Sequence, residues 1–373
     1  MSEPRPPCAL FVLEQHLGHR TYAQNLQRFV APDVTLAAAW APVHYAPSRA
    51  AWEKLPGLPA SLRGGLRGRH EVRRALAENP HDVVFFNTQV PAVLGGRLSR
   101  CRPYVVATDL TPIQYDVIGK RYSHRADRFS PLAWYKRRVN QAVFRGAAKL
   151  LPWSSWAMSS LVRDYGVPPE RVLVLPPGVD LELWRPGGAR AAGPPRILFV
   201  GADFRRKGGP ALLEAFGALR PGLAELVLVT RSEPSPAPGV VWHRGLEPNS
   251  PELVALYRSC DLFVLPTEAE AFGIAAVEAC AAGLPVVASA VGGLPDVVAA
   301  GETGLLVPPG DVSALRAAVS ALIDDAPRRL GMGRAGRARA ESLFDARKNA
   351  AQVVACLTAA LRRGSPGLFM RPD

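Results

Sequence analysis

The segment from Leu262 to Ser289 constrains this chain more than any other. It reads as strand, polar loop, helix, tight turn and strand. Leu262 to Leu265 is an apolar run of strand length. Thr267 to Phe272 is a loop that carries Glu268 and Glu270. Gly273 opens a helix that runs to about Ala282, where Gly283 and Pro285 stop it, and Pro285 to Ala288 begins the next strand. A helix that follows a strand in this way aims its free N–H groups at the carboxyl edge of a parallel sheet. That edge is where such sheets bind ligands, and a helix N-terminus favours phosphate.

Two acids in the segment carry the chemistry. Glu270 stands just before the helix, and Glu278 lies more than one turn inside it among Ala, Val and Ile. Read alone, Glu270 could cap the helix and Glu278 could face solvent, because acids are common at helix starts. The other reading buries Glu278, which is costly unless a partner such as a neutral sugar hydroxyl donates a hydrogen bond to it.

The rest of the chain repeats the strand–helix unit. Apolar runs at Cys8–Leu13, Val34–Ala38, Val83–Phe86, Tyr104–Ala107 and Leu150–Trp153 read as buried strands of a first parallel sheet. Arg196–Val200, Leu226–Val229, Val240–Trp242 and Gly304–Val307 read as strands of a second. Helices are expected from about Thr21, at Pro210–Leu219, Val312–Ile323, Arg334–Phe344 and Asp345–Arg363. A chain of 373 residues suits two domains, and Gly187 to Pro195, rich in Gly, Ala and Pro, reads as the linker between them. The fold class is therefore α/β, with two doubly wound domains. Arg63 to His70 reads as a basic, flexible segment.

The charge is uneven. Residues 1–190 hold 26 Lys and Arg against 14 Asp and Glu, and the remainder hold 19 against 18. An anionic partner is expected for the first domain. Lys120 to Arg145 mixes Lys and Arg with Tyr122, Phe129, Trp134, Tyr135 and Phe144. It is either a solvated face over core aromatics or a surface that docks on anionic lipid. No apolar run approaches the ~18 residues of a membrane span, and the start lacks the pattern of a secretory leader. Five widely spaced cysteines form neither a disulfide framework nor a zinc site, so a reducing cytoplasm is expected.

Glu270 and Glu278, separated by seven residues and followed by Ala-Cys-Ala-Ala-Gly-Leu-Pro-Val-Val-Ala, resemble the signature of retaining glycosyltransferases of the GT-B fold, glycosyltransferase family 4 in particular. Val172 to Asp180, Trp184-Arg185-Pro186 and Gly304 to Pro308 are similar to further family segments. The resemblance implies two Rossmann-like domains facing across a cleft. Residues 1–186 would bind acceptor, 187–195 link, 196–345 bind nucleotide-sugar, and 346–373 form a helix crossing back to the first domain. It implies that Glu278 holds the nucleotide ribose and that Glu270 contacts the donor sugar. Backbone N–H groups of Phe272, Gly273 and Ile274 would face the diphosphate, and Gly245 to Asn249 would approach the base. The family usually has Gly where this chain has Ala271.

Other site residues follow from position. Gly18, at the turn after the first strand, is as well read as a plain turn as a site for donor phosphates. Asp109 lies at a strand's carboxyl end where many relatives carry a sugar-binding His; it is either catalytic or a helix cap. Arg205, Arg206 and Lys207 stand at a helix entrance, as a diphosphate clamp or an exposed basic loop. Relatives commonly place an Arg directly after the Gly that ends the strand. Here Ala202 follows Gly201, so Arg206 is expected to supply the second cation beside Lys207.

The expected activity is retaining transfer of a sugar from a nucleotide-sugar to a hydroxyl of a glycan or lipid-linked acceptor. No cofactor or metal is expected, because no DxD motif occurs, and no nucleic acid partner is expected. The protein is expected in the cytoplasm, either free or attached peripherally to the inner face of the membrane through its basic domain. The alternatives are a nucleotide-sugar epimerase or sugar phosphorylase of the same architecture, and a membrane-docked nucleotide-sugar sensor without turnover. A phosphorylase needs a pyridoxal-binding Lys, and no lysine stands in a convincing context.

Overall fold

The structure is a computed structural model of the chain. It describes residues 6–16, 18–33, 35–47, 53, 57, 59–122, 130–188, 193–233 and 237–362. Five parallel strands form the first sheet: β1 (Cys8–Glu14), β2 (Ala37–Val43), β3 (Val83–Phe86), β4 (Tyr104–Thr108) and β5 (Lys149–Pro152). Their order is β2-β1-β3-β4-β5. Around them lie α1 (Gly18–Val30), α2 (Ala60–Glu78), α3 (Gln89–Gly95), α4 (Pro112–Ile118), α5 (Pro131–Gly146) and α6 (Ser155–Arg163).

Six parallel strands form the second sheet: β6 (Arg196–Val200), β7 (Glu225–Val229), β8 (Val240–His243), β9 (Leu262–Leu265), β10 (Val286–Ser289) and β11 (Gly304–Val307). Their order, β11-β10-β9-β6-β7-β8, reverses direction between β6 and β9. The first sheet reverses between β1 and β3. Such reversals open the crevice in which doubly wound sheets bind ligands. The second sheet is flanked by α7 (Gly209–Gly217), α8 (Pro251–Arg258), α9 (Ile274–Ala281), α10 (Leu294–Val297), α11 (Val312–Asp324) and α12 (Ala326–Leu343). The last helix, α13 (Ala346–Arg362), packs on α1, β3 and β4 of the first domain, with Val353 and Leu357 buried. Strands such as Val83–Phe86 and Leu262–Leu265 are buried along their whole length, because helices cover both sheet faces.

Several elements differ from the sequence reading. Strand β2 occupies 37–43 rather than 34–38, because it pairs with all seven residues of β1, from Cys8 with Ala37 to Glu14 with Val43. Pro42 is tolerated there because β2 is an edge strand. Helix α1 starts at Gly18, three residues before Thr21. The Arg63–His70 segment lies inside the 19-residue helix α2 instead of a flexible loop. Its glycines disfavour a helix, but Val72 and Leu76 are buried, and Gly68 lies against Tyr45 and Leu94, so packing overrides local propensity. Helix α12 begins at Ala326 rather than Arg334, because the Asp325 side chain accepts from the Arg328 N–H at 2.9 Å and caps it.

In the basic segment, Phe144 is buried, but Trp134 and Tyr135 are 62% and 61% exposed. They are not core aromatics. The part of that segment from 123 to 129, with Phe129, lies outside the described residues. No helix among the described residues is long and apolar enough to cross a membrane.

Candidate functional site

The site is built where the loops after β6 and β9 meet, at the point of reversal in the second sheet. After β6 the chain turns through Gly201 to Gly208. Gly208 adopts φ +82°, and a side chain there would collide with the main-chain oxygen of Pro266. That close approach brings Lys207 onto the loop after β9. Its ammonium forms an ion pair with Glu270, and both side chains are largely buried. Glu270 makes no cap hydrogen bond to α9, so the capping alternative does not hold. The cap position belongs to Gly273, at φ +102°, a conformation that glycine adopts without strain. The N–H groups of Phe272, Gly273 and Ile274 make no hydrogen bond among the described residues. They are the free donors that a helix start offers an anion. Ala271 takes no positive φ, so alanine fits this loop without strain.

Glu278 does not face solvent. It is 5% exposed, and Tyr257 of α8 donates a hydrogen bond to its Oε2 at 3.1 Å. Burial, only partly opposed by that hydrogen bond, pushes its carboxyl up to about 8.

The neighbouring cations differ in placement. Arg205 is exposed. The Arg206 guanidinium is largely buried, 3.4 Å from Asp203 and 3.3 Å from the oxygen of Ala269. Tyr115 of α4, in the first domain, lies close enough to feel its charge: burial raises the Tyr115 phenol, and Arg206 opposes.

The first domain closes the site from the other side. A Cβ on Gly18 would sit 3.1 Å from Ile274 Cδ1, so the N-terminus of α1 faces that of α9. Phe272 is buried edge-on to Trp153 at 5.9 Å and to Phe344 at 6.2 Å. Trp153 also touches His19, at 4.8 Å between rings. Asp109 is not a helix cap: Thr111 caps α4, in a reciprocal box with Gln114. Asp109 instead lies 3.4 Å from His19 Nε2. Burial disfavours the imidazolium, but the charge and hydrogen bond of Asp109, with the charge of Glu14, outweigh it and raise the His19 pKa. His19 Nδ1 is buried with no partner among the described residues.

Gly245, at φ +77°, lies in a loop that reaches α1 through its neighbours. Glu247 pairs with Arg20 at 3.0 Å, and Asn249 accepts from Trp184 Nε1 at 3.0 Å and donates to Gln24 at 3.3 Å. Two more contacts join the domains near the cleft. Arg121 pairs with Glu268, and Asp296 accepts from the Ser155 main-chain N–H at 2.8 Å, at the start of α6. The structure thus brings Gly18, Arg206, Lys207, Glu270, Phe272, Gly273 and Ile274 to one seam, with Asp109 joined to it through His19. The sequence reading missed Tyr257, Tyr115 and Arg121. None stands in a local pattern that marks it; only the fold brings Tyr257 to Glu278, Tyr115 to Arg206 and Arg121 to Glu268.

The sequence model of the family described as Glycosyltransferase Family 4 matches residues 18–183, and that of Glycosyl transferases group 1 matches residues 194–325. A D-inositol 3-phosphate glycosyltransferase of Corynebacterium glutamicum (strain R) is 31% identical over 297 residues, 66% of this chain and 71% of that protein. Among solved structures, sucrose-phosphate synthase from Thermosynechococcus elongatus superposes with a TM-score of 0.78 at 21% identity, over 96% of this chain and 100% of the other. Anabaena HepE in complex with UDP-glucose superposes with a TM-score of 0.67 at 18% identity, over 95% and 100%. At these identities the likeness of the structures establishes the two-domain GT-B fold.

Proposed function

The chain belongs to glycosyltransferase family 4, and on that premise we propose that it transfers a sugar, with retained configuration, from a nucleotide-sugar to a hydroxyl of a glycan or lipid-linked acceptor. The observation that carries this reading is the Lys207–Glu270 pair beside the free N–H groups at the start of α9. A lysine held by a glutamate at a phosphate-favouring helix end is a cation that an arriving diphosphate can take over.

In this reading residues 196–345 bind the donor and residues 1–186 the acceptor, joined by 187–195, with 346–373 returning to the first domain. Glu278 accepts hydrogen bonds from the ribose hydroxyls. The diphosphate lies on the N–H groups of Phe272, Gly273 and Ile274, with Gly18 opposite and the Gly245 loop towards the base. Lys207 exchanges Glu270 for a phosphate oxygen, and Glu270 turns to the hydroxyls of the sugar. Cleavage of the bond from the anomeric carbon to the phosphate oxygen leaves positive charge on the sugar and adds negative charge to the diphosphate. Lys207 and Arg206 stabilise that anion. The acceptor hydroxyl enters on the face the phosphate leaves and gives its proton to the departing oxygen. Asp109, through His19, borders the same space from the first domain. No metal is required for these steps, so chelators should leave transfer unchanged.

The exposed tip of α5 supports contact with a membrane surface. Leu132, Trp134 and Tyr135 are exposed beside Lys136, Arg137 and Arg138, and Val117 of α4 is 64% exposed. Arg138 lies over the Trp134 ring at 5.1 Å. Aromatics among cations suit the headgroup layer of an anionic bilayer, and a lipid-linked acceptor would be presented there.

The test is incubation with a panel of nucleotide-sugars, with and without lipid and glycan acceptors. Transfer to an acceptor with retained anomeric configuration, read by NMR, is expected. Donor conversion without acceptor would replace this reading with an epimerase, and binding without any turnover would replace it with a sensor.

A further inference from the structure

Tyr257 and Glu278 share protons in a way that a nucleotide would change. Tyr257 is fully buried, stacked on Phe263 at 5.7 Å and edge-on to Trp184 at 5.0 Å. Its hydroxyl carries one hydrogen but has two acceptors in reach: Glu278 Oε2 at 3.1 Å and the Ala275 main-chain oxygen at 3.2 Å. If Glu278 is ionised, the hydrogen goes to Oε2 and Ala275 loses it. If Glu278 is a neutral acid, its own hydrogen goes to the Tyr257 oxygen and the phenol hydrogen goes to Ala275. The first arrangement gives the carboxylate the phenol's hydrogen bond, but the second leaves no charge in the interior, and at a carboxyl this buried the second effect outweighs the first.

The surroundings favour the neutral acid. Among the described residues no cation pairs with Glu278. On α12, Arg337 spends its guanidinium on the oxygens of Ala281 and Trp184, and Arg339 on those of Val297 and Asp296. On α8, Arg258 bonds the oxygens of Arg185 and Leu183, and Glu252 is exposed. Asp296 of α10 is taken by Ser155, Cys280 on α9 and Cys260 after α8 are thiols, and β9 and β10 add only Ser289.

We propose that Tyr257 and Glu278 form a proton switch thrown by the nucleotide: the carboxyl is neutral in the free protein, and two ribose hydroxyls displace its proton to solvent. The inference rests on the ribose role proposed for Glu278. One proton leaves the carboxyl for the buffer, and the phenol hydrogen swings from Ala275 to Oε2. Tyr257 is then a positioning residue that steadies the carboxyl in both states. The upward shift of the Glu278 carboxyl by burial accords with this. Affinity should fall about tenfold for each pH unit of acidification below the titration of the free carboxyl.

The experiment is calorimetry of UDP and GDP binding in buffers of different ionisation enthalpy, which counts protons released. The nucleotide's own phosphate contributes equally in Glu278→Gln, so the difference between the unchanged protein and this variant isolates the carboxyl. A difference on the order of one proton at pH 7 is expected. Tyr257→Phe keeps the packing but removes the hydrogen bond that holds the carboxyl down. The pH at which affinity begins to fall should move upward, whereas a purely structural loss would weaken binding by one factor at every pH. If Glu278→Gln weakens binding with no difference in proton release, the switch is overturned and the ribose contact stands. If Glu278→Gln binds as tightly as the unchanged protein, the ribose contact itself fails.

Discussion

His19 Nε2 lies 3.4 Å from Asp109 Oδ2, joining the first turn of α1 to the carboxyl end of β4. The raised pKa of His19 means that this pair favours the folded state most below the ordinary histidine value, and loses its effect as pH rises through the folded value. Asp109→Asn should therefore destabilise by about 1.5 kcal/mol more at pH 6 than at pH 9, the low end of the range for a hydrogen bond to a charged group. Urea unfolding at the two pH values measures it, and equal losses would show that the imidazole is uncharged at both.

The two glutamates should separate in binding and turnover. Glu278→Ala should weaken nucleoside diphosphate binding by roughly 1.5–3 kcal/mol, the range for hydrogen bonds to charged groups. Glu270→Gln releases Lys207 from its internal partner, so nucleotide affinity should hold or rise while transfer falls. Calorimetry beside steady-state transfer decides it. Equal losses of nucleotide affinity in both variants would contradict the division of roles.

The clamp distinguishes two adjacent arginines. Arg206 is largely buried at the loop that carries Glu270, and Arg205 is exposed. A planar guanidinium held at two points is not replaced by an ammonium. Arg206→Lys should lower turnover about 100-fold, the low end of the range for losing one transition-state donor, and Arg205→Lys should be mild. A damaging Arg205→Lys with a silent Arg206→Lys would reverse the assignment.

Binding to anionic vesicles should weaken with salt, because exposed charges are screened over about 8 Å at physiological ionic strength. Neutralising Lys136, Arg137 and Arg138 together should release the protein. Trp134→Ala with Tyr135→Ala should weaken binding even at high salt, because their contribution is apolar. Sedimentation with vesicles of mixed neutral and anionic lipid reads both, and unchanged sedimentation in all variants would exclude this face as the docking surface.

The sequence by itself determined the layer architecture and the second-domain motif. Buried parallel strands are continuous apolar runs, so Val83–Phe86 and Leu262–Leu265 were legible to the residue. Local turn chemistry likewise placed Gly273 at the start of α9 and Gly283 at its end. The strand β2 and helix α2 were not legible, because an edge strand takes its register from its neighbour and a glycine-rich helix takes its stability from packing. Only the tertiary structure decided the site's partners. Lys207 meets Glu270 across 63 residues, Tyr257 meets Glu278 across 21, and His19 meets Asp109 from another strand's edge. Such pairs leave no periodic trace in the chain, because their distance is set by how sheets stack and helices turn back, not by local spacing. The burial that raises the Glu278 carboxyl comes from the same source.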